Sequence, residues 1–163
     1  MAFSDYTSPT SVRAVLGISV KEVSDATVTD TVYLTTLLEA LYALSPDLST
    51  DFLAAAAAPS PSAAQKRFVL LVETFCAYTA AVALIPSLPL AAPQIITDGK
   101  TSVNRVANPY ERLLPALNAS LAYIRANLMA AYAEVAPGIS PLAPVRRTMV
   151  LNVGLSVDPV TGA

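Results

Sequence analysis

The side chains able to do chemistry are few, and the missing types decide more than the ones present. The 163-residue chain has no His, no Trp and one Cys, Cys76. Without His there is no Ser-His-Asp triad, no Cys-His pair and no imidazole general base. Zinc sites built on His are excluded. One Cys makes neither a thiolate-rich zinc or iron-sulfur site nor an intrachain disulfide. Cys76 follows Phe75 and precedes Ala77-Tyr78 on an apolar helical stretch, with no basic neighbour in sequence. It is expected as a small core hydrophobe and not a nucleophile, and a lone thiol fits a reducing compartment. Neither G-x-x-x-x-G-K nor G-x-G-x-x-G occurs, so no phosphate loop is expected. Glu39, Glu73, Asp98 and Glu111 would form an acid/base pair only by meeting in space, and nothing local brings them together. The chain therefore reads as a non-enzyme, with no catalytic, metal or cofactor residues expected.

The elements that would position these side chains are mainly helices. Ser8-Pro9 opens a short helix, Ser as N-cap and Pro at the first position, and Gly17 stops it. Ser24-Asp25 starts a second that is expected to run to Leu44. Val28, Val32, Leu37, Ala40, Leu41 and Leu44 form one stripe there, and Leu34, Leu38 and Tyr42 another. An arc that wide predicts contact on more than one side. A short helix is expected at 51–58. A long one is expected from Ser62 to Ile85, with Phe68, Leu71, Val72, Phe75, Thr79, Val82 and Ile85 on one face. Asn108-Pro109-Tyr110-Glu111 is a strong helix start. Its stripe continues through Leu114, Leu117, Leu121, Ile124, Leu128 and Tyr132 toward an end near Val135, with a kink or restart at Pro115.

Two further segments are expected to be extended. Asp98-Gly99 is a turn signal, with Ile95–Thr97 and 101–106 as a weak hairpin around it. After Pro137, Pro141 and Pro144, residues Met149, Leu151, Val153, Leu155 and Val157 alternate with Val150, Asn152, Gly154, Ser156 and Asp158. That period of two predicts a strand that needs a ladder partner. The fold expected is a mainly α bundle of about four helices over residues 1–136. A small β element near 95–106 and an extended, strand-bearing tail over 137–163 complete it.

Charge is scarce and unevenly placed. Charged residues make up 13% of the chain and Ala alone contributes 29 residues. A free monomer of this mass exposes roughly 7,700 Å², so its 22 charges would each serve roughly 350 Å² of it. Residues 1–98 carry four basic and nine acidic side chains, and residues 99–147 carry six basic and two acidic. An acidic front and a basic back suit head-to-tail contact between copies, or docking to an acidic partner. Arg146-Arg147, between the Pro-rich linker and the strand, read as interface anchors. Met1–Asp5 lacks a basic stretch leading into an apolar run, so no secretory leader is expected. The stretch Phe68–Ile85 has only Glu73 charged and is near the lower length of a membrane span, which gives the alternative reading of a small membrane-associated protein. An acidic group in hydrocarbon weighs against it.

Ser11-Val12-Arg13-Ala14-Val15-Leu16-Gly17-Ile18, followed by Ser24-Asp25, resembles the opening of tailed-bacteriophage head–tail connector proteins. These are small helical adaptors that form a ring beneath the portal. The short helix ending in Leu16-Gly17, the loop Thr97-Asp98-Gly99-Lys100 with Arg105, and the long last helix are similar too, over residues 8–135. The high Ala and Pro content and the tail after Val135 depart from the family pattern. The resemblance implies a homo-oligomeric ring, commonly of twelve copies, in the virion neck at the portal vertex, made in the host cytoplasm. The portal protein would lie on one side and the tail or next neck protein on the other, with DNA passing through the bore without sequence-specific binding, and with no membrane and no cofactor. The expected contact residues are Asp98, Lys100, Arg105, Arg146, Arg147, Met149, Leu151, Val153, Leu155 and Val157.

Overall fold

Helix starts in this chain are written by local capping chemistry. In the computed structural model, which describes residues 1–88, 95–98, 101–104 and 113–136, most of them fall at the polar residues that can cap. A single 3₁₀ turn, Phe3–Asp5, precedes α1 (Pro9–Leu16). The Ser8 hydroxyl accepts the Ser11 N–H, and Gly17 closes α1 at φ 66°, the left-handed region that favours glycine. The next stretch departs from expectation. Instead of one helix from Asp25 to Leu44 there is a single turn, α2 (Asp25–Val28), then α3 (Thr31–Tyr42). The break is at Asp30, whose carboxylate accepts the Val32 N–H and caps a new helix. Helix α4 covers Leu48–Ala56, three residues earlier than expected at its start.

Helix α5 (Ala63–Leu84) is the longest of the first four-fifths of the described chain, and a reciprocal capping box starts it. The Ser62 hydroxyl accepts the Gln65 N–H, and the Gln65 side chain accepts the Ser62 N–H. Pro86 does not stop the chain's winding at once, and Ile85–Ser87 adds a 3₁₀ turn. Helix α6 (Leu114–Val135) begins with Pro115 in its first turn. Pro115 cannot donate an interior helical bond, but the first turn does not require one. The helix thus runs from Leu114, with Pro115 in its first turn, to the end that the sequence predicts; the start expected at Asn108 lies outside the described residues. Ile95–Asp98 (β1) and Thr101–Asn104 (β2) pair antiparallel by backbone, Asp98 opposite Thr101. The architecture shown is mainly helical, and residues 137–163, with the expected tail strand, lie outside the description.

Helix α5 is the hub. It packs against α1, α3 and α4 and, most extensively, against α6. Phe68, Val72, Phe75, Cys76, Ala80, Ala81 and Leu84 are all buried in one core with Val12, Leu16, Leu37, Leu41, Leu48, Phe52, Leu128 and Tyr132. The helix is long and apolar enough to cross a membrane, and 56% of its most apolar stretch is buried inside the protein. Helix α3 is also met by more than one element, packing against α4, α5 and the N-terminal 3₁₀ turn, with Leu34 and Leu38 partly buried against the core. In α3 only Leu37 and Leu41 are buried, while Val32 is 66% and Tyr42 64% exposed.

The C-terminal end of α6 is clamped to the first half of α5 and to α4. Tyr132 stacks on Phe68 with ring centroids 5.3 Å apart. Its hydroxyl donates to Asp51 Oδ2 at 2.6 Å, and Arg67 pairs with Glu134 at 3.2 Å on the surface. A second stack, Tyr6 on Phe52 at 5.6 Å, ties the N-terminal turn to α4. Burial pushes the Tyr132 phenol up to about 12, helped by its bond to Asp51 and by the Asp51 and Asp47 charges, with a bond to Ser45 pulling the other way. The fold therefore holds the protonated phenol, since the folded value lies above the ordinary value of about 10. The stability it supplies is complete below pH ~10 and is lost as pH rises through ~12. Tyr132→Phe should cost about 1–2 kcal/mol in chemical denaturation. The difference in phenolate absorbance between wild type and Tyr132→Phe should titrate near pH 12, and a difference titrating near pH 10 would contradict the clamp.

Candidate interaction surface

Of the ten residues expected at an interface, Asp98 alone falls within the described chain, at the end of β1. Lys100, Arg105, Arg146, Arg147, Met149, Leu151, Val153, Leu155 and Val157 lie outside the described residues.

Among the described residues the polar side chains serve mainly the fold. Arg13 is buried, and its guanidinium donates to Asp25 Oδ1 at 2.6 Å and to the Val23 carbonyl at 3.4 Å. This joins α1 to the start of α2 across the intervening loop. The Tyr6 and Ser49 hydroxyls are 2.6 Å apart. The hydroxyls of Tyr33 and Ser87 are 3.1 Å apart, and Ser87 also donates to the Leu84 carbonyl at 2.7 Å. No group of three or more Cys, Asp or Glu side chains among the described residues could hold a metal ion. Glu39 and Glu73 sit exposed on different helices, α3 and α5.

Cys76 is buried in the core, as its apolar neighbours predict. Burial pushes its thiol up to about 12, with the Glu73 charge adding to the effect, so almost no thiolate exists near neutral pH. Thr79 lies on the same helix with its hydroxyl buried and without a hydrogen-bond partner. It was placed on the apolar face by spacing alone, and the face claims it in spite of the hydroxyl.

The surface offers apolar side chains more than chemistry. Val32 and Tyr42 project from α3 with Glu39 between them in the same arc. Leu70 projects from α5, and Tyr123, 72% exposed, from α6. The sequence groups Val32 and Tyr42 into apolar stripes, but both lie about 100–180° around α3 from the buried Leu37 and Leu41. Two open grooves accompany these residues. One, of 510 Å³, lies at the start of α3 and is lined by Ala26, Thr27, Asp30, Val32 and Tyr33. The other, of 260 Å³, lies between α4 and α5. Compared with known proteins, the chain matches no family model, no curated protein and no solved structure. The class defined by the fold is thus a mainly helical protein with sparse surface charge and unpartnered apolar side chains.

Two outcomes follow for the core of α5. Cys76 should stay unreactive toward a disulfide reagent at pH 8 in the folded protein and react fully in denaturant; rapid native labelling would contradict its burial. Thr79→Val should leave stability unchanged or raise it by up to about 1–2 kcal/mol in denaturant melts, because an unpaired buried hydroxyl is replaced by a group of the same shape.

Proposed function

We propose that this chain is a structural virion protein, a head–tail connector that forms an oligomeric ring below the portal and joins the capsid vertex to the tail. Its work is assembly and not catalysis. The observation that carries the reading is the resemblance of Ser11–Ile18 and Ser24-Asp25 to the opening of that family. These two segments form α1 with its Gly17 stop and the start of α2, tied by the Arg13–Asp25 bond. The absence of His from the sequence, the low charge and the opposite charge of the two parts of the chain support an assembly role.

In this reading the basic residues Lys100, Arg105, Arg146 and Arg147 and the alternating segment 149–157 form the contacts beyond the bundle. The β1–β2 ribbon and an extended tail are the finer parts of the fold that would present them. The tail strand would gain its ladder from a neighbouring copy or from the partner protein, a known mode of association. The ring is made by head-to-tail contacts that close, and the bore passes DNA without reading its sequence. The membrane reading has less support, because α5 packs against helices on several sides.

Electron micrographs of the purified protein should show closed rings. Deleting residues 145–163 should leave a protein of unchanged helical circular dichroism that no longer assembles. If the truncated chain still forms normal rings, the role of the tail is wrong. If the full chain forms no rings and joins no portal, the connector reading is wrong.

A further inference from the structure

The outward side of the first half of α5 carries a pattern that is complementary to itself. Lys66, Leu70 and Glu73 are spaced i, i+4, i+7, so they share one narrow arc of the helix, and all three are exposed. Leu70 is 63% exposed on a helix that otherwise buries its large apolar residues well. Lys66 and Glu73 are about 10.5 Å apart along the axis, too far to pair with each other. Neither has an ion-pair partner among the described residues, whereas the adjacent Arg67 is taken by Glu134. Beside the strip runs the 260 Å³ groove, whose apolar lining is Ala55, Ala56, Pro61, Val69 and Leu70 itself.

Leu70 lies near the middle of the strip. Lys66 is about 6 Å from it in one direction and Glu73 about 4.5 Å in the other. A second α5 laid antiparallel across the first, with a two-fold axis at Leu70, sets Lys66 of each copy against Glu73 of the other. The two Leu70 side chains then meet at the axis and fill the neighbouring grooves. A parallel arrangement would instead oppose like charges. We propose that this strip is a two-fold contact between two copies of this chain, with Leu70 at its centre and two Lys66–Glu73 ion pairs around it.

Such a contact is isologous and closes with two copies, so it cannot propagate around a ring. It does not rest on the connector reading, and either can fail alone. The strip is only about two turns long, so the association is weak, roughly micromolar to millimolar.

Charge exchange in the full chain tests the proposal. Sedimentation should show the wild type dimerising with concentration. Lys66→Glu and Glu73→Lys should each weaken the dimer by about tenfold or more, because each opposes like charges twice. Both should keep the wild-type circular dichroism, since both residues are exposed and unpaired. Mixing the two variants in equal amounts should restore dimers, as one then carries two acids and the other two bases across the same contact. Leu70→Cys should form an intermolecular disulfide on mild oxidation, and Tyr123→Cys should not. The proposal is overturned by a wild type that stays monomeric to millimolar concentration, by association that ignores both charge changes, or by a mixture that stays as weak as its components. Rings that persist in both variants while dimerisation is lost would support the two-fold contact as separate from ring closure.

Discussion

A helix that is apolar on nearly every side has to be covered on nearly every side, and α5 sets that requirement for the whole molecule. Nothing in water stabilises such a segment alone; its stability comes from removing its surface from solvent. Helices α1, α3 and α4 cover it from one part of the chain and α6 from another. The stack of Tyr132 on Phe68 and the bond from Tyr132 to Asp51 fix the last of these in register. One aromatic side chain thus meets α5 with its ring and α4 with its hydroxyl. The same demand explains why Cys76 and Thr79 are buried: they occupy positions on a helix that the fold must enclose whatever their polarity.

Much of the helical framework was legible in the residues because capping is a local affair. Ser8-Pro9, Gly17, Ser62 and Pro115 act on their own turn of backbone, and the structure uses them where the sequence places them. Asp30 is the exception: in the polar run Thr29-Asp30-Thr31 its side chain caps a new helix, a break that the flanking apolar residues on both sides conceal. The covered face of α3 follows helical geometry. Leu34, Leu37, Leu38 and Leu41 are spaced i, i+3, i+4, i+7 and are buried or partly buried, whereas Val32 and Tyr42 lie about 100–180° around the helix from Leu37 and Leu41 and are exposed. The stripe drawn through Val28, Val32 and Leu37 mixes the two faces.

The surface left over is short of charge and dotted with large apolar side chains. Ion pairing consumes Arg13 and Arg67 internally, so the few remaining charges stand next to apolar groups, as Glu39 does beside Tyr42 and Lys66 beside Leu70. An arrangement of this kind suits recognition between proteins, where apolar contact provides affinity and isolated charges fix register. The polar hydroxyls that are well placed, on Tyr6, Tyr33 and Tyr132, hold elements together.

Hydrogen exchange in detergent-free buffer reads out whether α5 is the enclosed hub of a folded protein. The slowest-exchanging amides should lie in residues 68–84. They should exchange only by global unfolding, at the free energy given by denaturant melts. Fast exchange across 68–84 in buffer, with protection appearing only when detergent or lipid is added, would contradict the account.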